Sequence, residues 1–154
     1  MTSEKEFIPS AIAATVSGSF PSSVSAEDAN GMFSRMLSKV TTDCAEAGAW
    51  MIGHIKANVR SGEGFLSISS TTDDGNVRAR ATFTDPVKDY SMTVNVIVYG
   101  IDRRKTAEIL VSNVKSTLSS AEIEVHSEVG CEDPDCEDPM CQDKDHKRVI
   151  TIDM

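Results

Sequence analysis

A chain of 154 residues has room for one ordinary domain with a core and too little for two comfortable ones. Hydrophobic residues make up 40% and aromatics 5%, so Val, Ile, Leu, Met and Ala must fill the interior; a mean hydropathy of -0.21 fits a soluble globular protein. The net charge of -9 is concentrated: residues 1–121 carry 13 acids and 12 bases and residues 122–154 carry 11 acids and 3 bases, a distribution that repels nucleic acid and anionic membrane and draws cations or basic partners.

In chain order, Met1-Thr2-Ser3-Glu4-Lys5-Glu6 lacks the positive start of a secretory signal. No apolar run approaches the roughly 20 residues that span a bilayer, so a cytoplasmic location is expected. Residues 1–24, rich in Ser, Ala and Thr with Pro9 and Pro21, read as a mobile lead-in that docks through Phe7 and Ile8. A helix follows, with Ser25 as N-cap and Glu27 and Asp28 favouring its positive start. Met32, Phe33, Met36, Leu37, Val40 and Cys44 form its apolar stripe, and Gly48 its stop.

The period then changes to two. Met51, Ile55, Ala57 and Val59 alternate with His54, Lys56, Asn58 and Arg60, a strand with one wet face. Gly62-Glu63-Gly64 turns the chain into a second strand, Phe65–Ser70, and Asp73-Asp74-Gly75-Asn76 turns it again. Val77, Ala79, Ala81 and Phe83 predict a third strand, ended by Asp85-Pro86, and Met92, Val94, Val96 and Val98 a buried fourth. Asp102 caps a second helix with Ala107, Leu110, Val114 and Leu118 inward; Glu122–Ser127 and Val149–Asp153 are the last strands. The expected fold is α+β: a mainly antiparallel sheet of about five strands with two helices on one face, over residues 25–130. A flexible acidic Cys/His-rich segment, 131–154, would follow.

That segment carries the chemistry. Residues 131–145 read Cys-Glu-Asp-Pro-Asp, Cys-Glu-Asp-Pro-Met, Cys-Gln-Asp-Lys-Asp, and His146 follows: Cys131, Cys136, Cys141 and His146 recur every five residues. Three thiolates and an imidazole suffice for a tetrahedral site, and soft sulfur ligands favour Zn, Cu(I) or an iron–sulfur cluster over Mg or Ca. Zinc is the expected ion. C-x₄-C lies at the long end of zinc spacings and only half matches a plant-type iron–sulfur loop, which suits a segment that orders on loading for delivery or sensing. The competing readings are an acidic repeat with incidental cysteines and disulfide pairing. His126, five residues before Cys131, is an alternative fourth ligand.

Elsewhere the residues read blandly. Cys44 falls on an apolar stripe as a buried thiol, and His54 on a wet strand face. Arg78 with Arg80, and Arg103, Arg104 and Lys105, suit a solvated face or one that pairs with the acidic segment. There is no Ser-His-Asp signature, P-loop, G-x-G-x-x-G or H-E-x-x-H, so an enzyme is not the expectation; one built on His54 and the basic face is the third reading.

Ile52-Gly53-His54-Ile55-Lys56-Ala57, Gly64-Phe65-Leu66 and Val94-Asn95-Val96-Ile97-Val98-Tyr99-Gly100-Ile101 resemble segments of the accessory domains of CobW-type GTPase metallochaperones. The resemblance covers about a third of the chain. It implies a stand-alone relative of the non-GTPase part, with a role in metal or cobalamin handling. The function expected is thus a metal-binding accessory protein with a protein partner or a second copy, and the alternative an acidic interaction module.

Overall fold

The computed structural model describes residues 9–118, 121–127 and 147–151. Its largest departure from expectation comes first in the chain. Ser10–Val24, read as part of a mobile lead-in, is strand β1, in the interior of the sheet with partners on both sides. Ile12, Ala14 and Val16 are buried on one face while Thr15 and Ser17 are exposed on the other. The alternation is that of a half-buried strand, blurred in the sequence because Ala11 and Ala13 on the other face are apolar as well. Phe7 and Ile8 lie outside the described residues.

Helix α1, Ala26–Glu46, starts where expected: Ser25 Oγ accepts from the Asp28 N–H at 3.1 Å. It ends at Ala47, and Gly48 follows at φ +119°, a left-handed position that glycine takes without steric cost. Phe33, Met36, Leu37, Val40 and Cys44 are fully buried. Strand β2, Met51–Ser61, has a register shift between Ile52 and His54, at Gly53. The bulge corrects one expectation: Ile52 is inward and Met51 is 38% exposed.

Strand β3, Gly64–Ser70, follows, and then β4, shorter than expected at Arg78–Ala81. It is an edge strand with Ala79 exposed rather than inward. Its exit is tied to α1, because the Asn30 side chain donates to the Phe83 carbonyl at 3.1 Å and accepts from the Phe83 N–H at 2.9 Å. Strand β5, Val87–Tyr99, buries Tyr90, Met92, Val94, Val96 and Val98. Helix α2, Arg103–Thr117, is capped by Asp102, which accepts from the Lys105 N–H at 2.8 Å; Ala107, Leu110, Val114 and Leu118 face inward. Strands β6, Ala121–Ser127, and β7, Lys147–Thr151, complete the sheet.

The fold is α+β. The sheet order is β4-β3-β2-β5-β1-β6-β7, and every neighbouring pair is antiparallel. Six strands, β1 to β6, form its body and the short β7 extends one edge, against about five expected. The strands joined by α1, β1 and β2, lie either side of β5, and those joined by α2, β5 and β6, lie either side of β1. Two interleaved split βαβ units result, the connectivity of ferredoxin-like sheets, with the β3–β4 excursion added at one edge. Both helices pack on one face over a single core whose aromatic centre is Phe20, Phe33, Phe83 and Tyr90. No helix among the described residues is long and apolar enough to cross a membrane.

The boundaries expected from the sequence shift accordingly. The body takes in β1 from Ser10, and it takes in β7, which pairs with β6 through Glu122–Thr151 to His126–Lys147. The Cys/His segment is therefore a connection between two paired strands rather than a tail.

Candidate functional site

Cys131, Cys136, Cys141 and His146 lie outside the described residues, between the end of β6 at Ser127 and the start of β7 at Lys147. Both ends of the connection are fixed side by side, since His126 and Lys147 are register partners. The alternative ligand, His126, is thus held next to the position that His146 adjoins. Among the described residues no group of three or more His, Cys, Asp or Glu converges as metal ligands.

The other residues singled out from the sequence fall as follows. Cys44 is fully buried in the core, and burial, with the neighbouring Asp43 charge, pushes its thiol from 9.0 up to about 11. A thiol held protonated is a poor nucleophile and ligand. His54 is exposed on the open face just past the β2 bulge. Arg103, Arg104 and Lys105 stand in the first turn of α2.

The open face of the sheet holds the described candidate. Alternation puts Lys56, Asn58 and Arg60 of β2 there, beside Phe65 and Ser67 of β3, Arg80 of β4, and Ser91 and Thr93 of β5. Register fixes the rows: Asn58 pairs with Ser67 on one side and Thr93 on the other, and Arg60 with Phe65 and Ser91. These residues line one basin of about 640 Å³, the size range of small-ligand sites.

Three of its lining residues are cations and none is a carboxylate. Lys56, Arg60 and Arg80 take part in no ion pair among the described residues. The Arg60 guanidinium sits over the Phe65 ring, 5.5 Å from its centre, which fixes the arginine by cation–π attraction. Ser67 donates to Asn58 Oδ1 at 2.8 Å, so the amide oxygen is used inside the sheet and the amide N–H₂ remains as a donor to the basin. Asp89, two residues along β5 from Ser91, takes a hydrogen bond from Ser19 on β1.

Across the sheet the sign reverses. Glu122 and Glu124 of β6 stand on the same open face, opposite Ser17 and Thr15 of β1. Ala121, Ile123 and Val125 take the covered side. On this face cations gather at β4-β3-β2, Ser, Thr and Asn with Asp89 lie on β5 and β1, and Glu122 and Glu124 stand on β6.

Sequence reasoning placed Lys56, Asn58 and Arg60 on one wet face and Arg80 on another, and did not bring them together. The pairing that does so depends on β2 lying between β3 and β5, which no local pattern states. No protein-family model, curated protein or solved structure matches this chain.

Proposed function

We propose that the chain is a metal-binding accessory protein whose β6–β7 connection holds a thiophilic ion, zinc first, through Cys131, Cys136, Cys141 and His146. What carries the proposal is the five-residue recurrence of those ligands, in a stretch with seven acids among residues 131–146. The anchoring of the stretch supports it. Pairing of β6 with β7 closes a connection of roughly 20 residues, which lowers the chain entropy that gathering four ligands would otherwise cost. Closure and loading therefore reinforce each other: ligation shortens the free loop that the short edge strand must hold together. In this proposal the body is a stand-alone relative of the CobW-type accessory domains and presents the loaded segment to a protein partner or a second copy.

Zinc titration of the full chain against a chromophoric chelator tests it. One zinc is expected per chain, with binding lost in C131S/C136S/C141S and weakened in His146→Ala. Amide hydrogens of residues 147–151 should exchange more slowly in the loaded protein. Equal zinc affinity in the triple variant sinks the proposal. The concentration of charge in residues 122–154 favours a second reading, an acidic segment that binds a basic partner. Salt-sensitive partner binding that survives the triple substitution selects that one.

A further inference from the structure

The basin on the open face has no role in metal holding, and its chemistry is of the opposite sign. We propose that it is a binding site for a compact phosphorylated ligand carrying a flat ring, a mononucleotide di- or triphosphate. In a chain of net charge -9, Lys56, Arg60 and Arg80 converge on one basin with no carboxylate in its lining. Like charges gathered without a counter-charge repel one another, and a bound anion removes that repulsion. The remaining donor, the Asn58 amide, is aimed by its bond with Ser67. Guanidinium forks and an ammonium suit phosphate oxygens, which accept in several directions at once.

The flat ring is argued from Phe65. It is 38% exposed, among the few large apolar side chains so exposed in the described residues, and it opens into this polar basin. Together with the guanidinium stacked over it, it offers a platform for an aromatic base. Compactness is argued from the far side of the same face. A nucleic-acid strand running on across β5 and β1 would meet Glu122 and Glu124, whereas a ligand that fills about 640 Å³ stays on the cationic half.

Calorimetric titration of the full chain with ATP, inorganic pyrophosphate and a ten-nucleotide oligothymidylate, in EDTA, tests this. ATP should bind saturably and at least tenfold more weakly to R60Q/R80Q, whose sites are exposed and whose fold is checked by circular dichroism. Phe65→Ala should weaken ATP several-fold and pyrophosphate less, because it removes the ring platform as well as the ring's support of Arg60. C131S/C136S/C141S should bind ATP like the parent, so failure of metal binding and failure of this site read out separately. Several results overturn the proposal: no saturable ATP binding, equal binding by R60Q/R80Q, pyrophosphate as tight as ATP, or an oligonucleotide that binds more tightly than ATP.

Discussion

The two faces of the sheet are made from the same strands and obey different rules. Along β5, Met92, Val94, Val96 and Val98 are inaccessible beneath the helices, while Ser91 and Thr93, alternating with the first of them, lie open to solvent. The covered face is chosen for volume and apolarity, and its neighbours across the register are apolar too: Val94 stands between Ala14 and Ala57. The open face is chosen for charge and hydrogen-bonding capacity, with cations on β2 and β4 and carboxylates on β6. One face holds the fold together; the other is free to vary with what it meets.

The comparison breaks most sharply where the covered face is deepest. Phe33 is fully buried and its ring lies 5.6 Å from that of Tyr90, 6.4 Å from Phe20 and 6.5 Å from Phe83. Phe33→Ala is expected to cost about 3–5 kcal/mol, because it removes transfer energy and opens a cavity that β-strand neighbours cannot collapse into. Urea unfolding of the variant measures it.

Titration gives the next effect. Burial pushes the Cys44 thiol from 9.0 up to about 11 and the Tyr90 hydroxyl from 10.0 up to about 12; the Asp43 charge adds to the first. Both groups are acids whose proton the folded state keeps longer than the unfolded chain does. Their contribution is whole below pH 9 and is lost as pH rises through 9 to 12, at a cost on the order of 2 kcal/mol for each. Thermal unfolding between pH 8 and 12 should show the decline, and Tyr90→Phe should flatten its upper part.

How much of this was legible beforehand follows the same division. Ser25, Gly48 and Asp102 announced the helix ends through local chemistry, and those ends are found there. The apolar stripes of α1 and α2 repeat at helical spacing with large side chains, so they too could be read. Strand β1 could not, because its inward positions include Ala14 and Gly18. The latter is small for a reason visible only in three dimensions: a Cβ there would lie 2.6 Å from the Tyr90 hydroxyl. The basin was equally hidden. Lys56, Arg60 and Arg80 are ordinary strand cations until strand order puts β3 between β2 and β4. The three cysteines at five-residue intervals are the converse case, plain in the sequence and outside the described residues.

The sharpest form of the comparison uses two adjacent residues and one chemical change made in opposite senses. Val and Thr have nearly the same shape, and both are β-branched, so exchanging them leaves strand propensity almost untouched and isolates the hydroxyl. Val94→Thr puts that hydroxyl on the covered face between Ala14 and Ala57, neither of which has a side-chain acceptor, and is expected to cost about 1–3 kcal/mol. Thr93→Val, one residue earlier, removes a hydroxyl from the exposed face and should change stability by no more than about 0.5 kcal/mol. Parallel urea denaturation of the two variants gives both numbers. A substantial loss from Thr93→Val would mean that the open face is covered in solution, since only a buried hydroxyl with a partner is missed when it is removed.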